Sequence, residues 1–285
     1  VKVLDVATNK VVKTIDIGRE PHGLAITHDG KLVLVPSLKG SDLLTLVDAN
    51  TGSIKGAIPL GMPSHHVAIS PDDRFAYVTL MEAGELVVLS LPDLKVIKRI
   101  GKLEGPNYVV FSPGGKYAYL SESQNDSILV IDATKHEIAA RIPVGEMPDH
   151  LDISPDGKLL YVANNFSDNV SVVDLATRKQ VTVIPVGKGP HGIAVTPDGK
   201  KVYVSNGGQD TVSVIDTAAG KVINTVTVGK NPEHVISLVK EGRQMVYVNS
   251  LEKHAIIALD AANDKIVDTI DVGPDPHQMA YRPPK

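Results

Sequence analysis

The sequence predicts an all-β fold: a seven-bladed β-propeller of four-stranded antiparallel blades, with the last blade closed by both termini. A repeat of about 42 residues, a Tyr-Val strand in each repeat, and the lack of any helical period carry this prediction. The Tyr-Val strand reads LVPS at Leu34, YVTL at Tyr77, YLSE at Tyr119, YVAN at Tyr161, YVSN at Tyr203 and YVNS at Tyr247. After each comes a polar loop, then a β-branched strand such as VSVID, ending at Asp48, Ser90, Asp132, Asp174, Asp216 and Asp260. A fourth strand such as ARIPVG or NTVTVG leads into the next repeat.

With the strands named A to D outward from the axis, the chain supplies seven A, six B, seven C and seven D strands. It opens on C (Val1 to Asp5) and D (Val11 to Gly18) and ends on A (His277 to Tyr281). One B strand is unaccounted for. The expectation is therefore that a strand, itself preceded by an export signal, stands before Val1. Ring closure by both termini removes a free sheet edge. Both faces of a blade pack on neighbours, so its strands should be apolar on both sides, as ILVI (Ile128 to Ile131) and IIAL (Ile256 to Leu259) are. The turns SPDD (Ser70), SPGG (Ser112), SPDG (Ser154) and TPDG (Thr196) put Pro and Gly where a tight connection needs them. Their Asp residues read as turn formers rather than as a metal or acid site.

Composition narrows the function. With 29 Lys+Arg against 33 Asp+Glu, a net charge of −4 ill suits non-specific nucleic-acid binding, which neutralises phosphates with cations. No apolar run approaches the roughly 18 residues of a membrane span. The absence of Cys removes disulfides, thiolate metal sites and Cys nucleophiles. The 285 residues read as one propeller domain and a monomer, and the ten His require an explanation.

The YVTN-like tetrapeptides, xPDG turns and VSVID strands resemble the YVTN-repeat β-propeller family over essentially the whole chain. That family is similar to the propellers of nitrous-oxide reductase and of haem d1 proteins. LVPS in the first blade and KEGR (from Lys240) in the sixth depart from its pattern. The resemblance implies a periplasmic or extracellular protein. Its members include surface-layer modules, binding scaffolds, lyases and redox enzymes, so it does not select a function.

Aligning the A strands exposes a column just before each: His22, His65, Asn107, Asp149, His191, Glu233 and His277, spaced by 43, 42, 42, 42, 42 and 44 residues. In a propeller these positions converge on one mouth of the central channel. Around the closed ring His277, His22 and His65 are consecutive, the ligand set of a three-imidazole Zn or Cu site with an open position. Asp149, His191 and Glu233 form a mixed nitrogen and oxygen set on the opposite arc. The bland reading stays open: a wet channel mouth is polar in any case, and duplicated repeats share their His. The next column holds His66, His150 and His234 at intervals of 84. These read as hydrogen-bonding groups, either behind the ligands or between blades, with Asn107 also placed behind the ligands. His28, His136 and His254 read as ordinary surface residues. Glu122, Asn164, Asn165, Asn206, Asn249 and Glu252, in the B–C loops, read as turn formers ahead of a ligand-admitting rim.

The expectation is an extracytoplasmic binding protein holding a transition metal or small ligand at a His-lined channel mouth. Zn or Cu is favoured over a haem d1-like tetrapyrrole, because no insertion is large enough to cover a haem. Two alternatives stand. One is a metal-dependent hydrolase, lyase or redox enzyme using the same site. The other is a scaffold that docks a protein partner on one propeller face.

Overall fold

The computed structural model describes residues 1–18 and 20–282 and is built of β-strands, with one short 3₁₀ turn at Gly207–Gln209. Six four-stranded antiparallel sheets follow one another along the chain, each in the order A-B-C-D. The blade from Pro148 is typical: Pro148–Ile153, Leu159–Asn164, Asn169–Asp174 and Lys179–Pro185. Its A strand opens on proline, as do those of the third, fifth and sixth blades (Pro106, Pro190, Pro232). A strand's first residue is where a missing N–H costs no ladder bond.

The residues gather into two compact units. One comprises Val1, Ile15–Ile142 and the chain from Ala280; the other comprises Lys2–Thr14 and Pro143–Met279. In the first unit, apolar side chains interleave between the first and second blades (Leu34, Leu44, Val67, Val78, Leu89) and between the second and third (Tyr77, Leu86, Leu120, Leu129). In the second unit the fourth blade packs on the fifth through Tyr161, Val170, Val202 and Val204, and the fifth on the sixth through Tyr203, Val212, Val246 and Ile257. B and C strands are thus apolar on both faces, as expected. D strands are not: Lys95–Ile100 is exposed along nearly its whole length, since only its inner edge has a neighbour.

The blade count differs from the seven predicted. Lys2–Asp5 and Lys10–Thr14 form a two-stranded sheet, and the segment His277–Tyr281 is not a strand. Strands C and D can pair with each other, but an A strand needs a B strand for its ladder. Among the described residues none is available there.

One device locks neighbouring blades in each unit. The fourth residue of a C–D turn adopts a left-handed backbone (His136, Asp264, Asn9). From there its side chain meets the hydroxyl of the B-strand tyrosine in the preceding blade. Tyr77 Oη lies 2.8 Å from His136 Nδ1, Tyr203 Oη donates to Asp264, and Tyr247 Oη donates to Asn9 Oδ1 at 3.3 Å. These bonds satisfy hydroxyls on otherwise buried rings, which explains why tyrosine rather than phenylalanine recurs. His136 is therefore an interblade contact, half-buried against Phe75, and not the ordinary surface residue expected. His28 is at the surface, 3.0 Å from Asp73. The xPDG acids serve their turns: Asp72, Asp156 and Asp198 each accept from the Ser or Thr two residues earlier.

Candidate functional site

The A strands of the third to sixth blades share an irregularity that builds the site. In the fourth blade Pro148 pairs with Asn164 but Leu151 pairs with Val162, so one extra residue is accommodated at Asp149–His150. The same slip occurs between Pro106 and Val109, Pro190 and Ile193, and Pro232 and Val235. These are β-bulges, and each falls on the two His-bearing columns. A regular strand would send adjacent residues to opposite faces. The bulge re-aims them, so both columns contribute to one cluster.

The third residue of the YVTN-like strand holds the bulges in place. Thr79 Oγ1 accepts the His66 N–H at 3.0 Å and donates to the Asn107 carbonyl at 2.9 Å, joining the second blade to the third. Ser205 Oγ accepts the Gly192 N–H at 2.8 Å and donates to the Glu233 carbonyl, joining the fifth to the sixth. Asn249 Oδ1 accepts the His234 N–H, while its Nδ2 donates to the Pro276 carbonyl at 2.6 Å. Asn249 thereby tethers the segment carrying His277, which has no strand ladder of its own.

In the second unit this scaffold assembles Asp149, His150, His191, Glu233, His234 and His277. His150 meets His191 at 4.4 Å and His234 at 4.5 Å between ring centroids, and His234 meets His277 at 4.4 Å. His150 and His234 belong to alternate blades; the intervening position is Gly192, which has no side chain to separate them. Asp149 Oδ1 lies 3.3 Å from His150 Nδ1 and its Oδ2 3.4 Å from His191 Nε2; Glu233 Oε2 lies 3.3 Å from His277 Nε2. His150, His234 and Asp149 are buried, and the other three half-buried. Burial, with the nearby Asp149 charge, pushes the Glu233 carboxyl above its ordinary value, while His191 pulls the other way.

Two groups have ligand atoms all within 4.8 Å of one another: His150, His191 and His234, and Glu233, His234 and His277. With Asp149 turned to His191 Nε2, the remaining ring nitrogen Nδ1 is buried and has no hydrogen bond among the described residues. That is the arrangement of a carboxylate-oriented ligand. The second column, expected behind the first, thus enters the cluster directly: His150 is a member of one group and His234 of both.

The remaining candidates lie in the first unit. His22 and His65 stand 4.2 Å apart, with His22 Nδ1 placed 3.1 Å from the His65 carbonyl. His66 accepts the Val109 N–H on its Nδ1 at 3.3 Å and stacks on Tyr108 at 3.7 Å, a contact between the second and third blades. Asn107 is buried in the third-blade bulge.

The B–C residues read as turn formers are mostly internal wiring. Glu122 is fully buried and accepts from Ser127 Oγ at 3.1 Å and Arg141 Nε at 2.8 Å. Asn164 and Asn206 donate to Ser171 at 2.8 Å and Ser213 at 2.9 Å across their own blades. Asn165 donates to the Pro190 carbonyl at 3.2 Å, and Glu252 pairs at the surface with Lys230 at 3.5 Å.

Residues 1–282 match the model of a family described as YNCE-like beta-propeller. Among solved structures the chain is similar to Kuenenia stuttgartiensis hydrazine synthase, with a TM-score of 0.60 and 20% identity over 88% of this chain and 98% of that one. It is also similar to a functionally unknown protein from Desulfotomaculum acetoxidans DSM 771, with a TM-score of 0.80 and 17% identity over 95% and 93% of the two chains. At these identities the likeness is one of fold. No curated protein matches the chain in sequence.

Proposed function

The chain belongs to the YNCE-like β-propeller family, a fold suited to a binding or scaffold role, and we propose that it binds a divalent transition-metal ion. The observation that carries the reading is the convergence of His150, His191 and His234, from three successive blades, with ligand atoms within 4.8 Å of one another. Three imidazoles about 2.0–2.1 Å from an ion require nitrogens about 3.4 Å apart, so a modest inward rotation of the rings completes the set. Imidazole and carboxylate donors without thiolate favour Zn²⁺ or Cu²⁺. Asp149 orients His191 and offsets the charge of the ion. A fourth position would remain for water or for a group delivered by a partner. The YVTN-like repeats support a periplasmic or extracellular setting for this binding.

The test is metal content of the untagged chain after exposure to Zn²⁺ or Cu²⁺ and removal of excess ion. Uptake is expected in the wild type and in a His22→Ala/His65→Ala variant, and is expected to be lost in His191→Ala/His234→Ala. Uptake lost only in the His22/His65 variant would move the site to the first unit. No uptake by the folded wild type would leave the scaffold reading.

A further inference from the structure

The two candidate groups are not independent, because His234 belongs to both. Each has a carboxylate of its own. Glu233 is a member of the second group, and Asp149 stands 3.3 Å from His150 and 3.4 Å from His191 in the first. A second divalent ion close to a first is opposed by their mutual repulsion, which local negative charge must offset. A cluster of neutral imidazoles alone would not provide that charge; this one has a carboxylate at each position.

We infer that the cluster is a two-ion centre: one divalent ion on His150, His191 and His234, and a second on Glu233, His234 and His277, with His234 bridging them. The inference rests on the metal-binding reading above. Each ion takes one ring nitrogen of His234. When the second ion binds, the remaining ring N–H proton leaves to solvent and the ring becomes an imidazolate bonded through both nitrogens. No electrons move. The bridging ring contributes a third negative charge beside Asp149 and Glu233, against the four positive charges of the ions. His234 is suited to this position: it is buried, its backbone N–H is fixed by Asn249, and rings from His150 and His277 meet it at 87° and 61°. The same Asn249 secures the segment that brings His277 to the second group.

Titrating the full chain with Cu²⁺ distinguishes the possibilities. The wild type is expected to take two ions, releasing one proton more with the second than the other ligands account for. Imidazolate coupling of the two spins should drop its integrated paramagnetic signal below its total copper. His277→Gln, or Glu233→Gln as a second and sterically conservative variant, should take one ion and show a signal equal to its copper content. Saturation of the wild type at one ion, unchanged in both variants, would overturn the two-ion centre while leaving the single site intact. Two ions with full signal intensity would overturn the shared His234. No copper uptake at all would overturn the metal-binding reading itself.

Discussion

Gly192 packs so tightly against Glu233 that a Cβ in its place would stand 2.1 Å from the Glu233 carbonyl oxygen and 2.9 Å from the His234 Cα. The A strands of the fifth and sixth blades approach this closely because Ser205 ties one bulge to the other. Glycine here is required by the close approach of two backbones rather than by a special φ.

Gly192→Ala should therefore force the sixth-blade bulge outward. A loss of about 2–4 kcal/mol is expected from the overpacking, and metal uptake should fall by more than tenfold as Glu233 and His234 move from their neighbours. Denaturant midpoints and a chelator competition read the two effects. An alanine variant with wild-type uptake would show that the strands can part without disturbing the cluster.

Asn249 does for the His277 segment what a strand ladder does elsewhere. Asn249→Ala removes the acceptor for the His234 N–H and the donor to the Pro276 carbonyl, two bonds of a buried side chain. The expected cost is about 1–3 kcal/mol. The more specific expectation is faster amide exchange and proteolysis in residues 273–282, with slow exchange kept in the B and C strands of the sixth blade. Uniform acceleration over that blade would mean that Asn249 supports the whole sheet instead.

What could be read in advance follows from the range of the forces. Turn chemistry, β-branched runs and repeat length are local, so the blades from Leu24 to Asp271 and the role of the xPDG acids were legible. The two columns were legible as columns because duplication keeps them in phase. Which members of the two columns share one cluster was not, since a period of two residues sends Asp149 and His150 to opposite faces. The single inserted residue of each bulge cancels that rule. A signal was present all the same: the Thr, Ser or Asn at the third place of the Tyr-Val strand (Thr79, Ser121, Ser205, Asn249) is a buried polar residue in an apolar strand, and such a group needs a partner. The place of His136 beneath Tyr77 depends on one blade packing on the next, which no single repeat reveals.

His136 should make the first unit acid-sensitive. Burial, aided by the Lys98 charge, holds its imidazole below the ordinary His value, with Asp132 opposing. The unfolded chain then binds a proton at a pH where the folded one resists it. This contribution to stability is complete above about 6.5 and is lost as pH falls below that value. His136→Gln keeps a polar group facing the Tyr77 hydroxyl but cannot titrate. Melting temperatures between pH 7.5 and 5 should fall less steeply in the variant. Parallel curves for the two proteins would show that other groups carry the acid sensitivity.

Asp152 should act with the opposite sign. It lies in the A strand of the fourth blade, where its neighbours in the equivalent positions are Ala25, Ala68, Val110, Ala194 and Ile236. Burial pushes its carboxyl up to about 6, although the N–H groups of Val195 and Ile153 donate to it, each at 2.8 Å. The folded state therefore holds a proton that the unfolded state releases near its ordinary value of 3.8. Stability falls as pH rises from about 4 to 6, and the penalty persists above that window. Asp152→Asn keeps an acceptor for the Val195 N–H and removes the charge. In chelator-treated protein the variant should be more stable than the wild type by about 1–3 kcal/mol at pH 7, and the difference should vanish at pH 3.5. Urea unfolding at the two pH values measures both. A variant less stable than the wild type at pH 7 would mean that the ionised carboxylate is worth more to the Val195 and Ile153 amides than its burial costs.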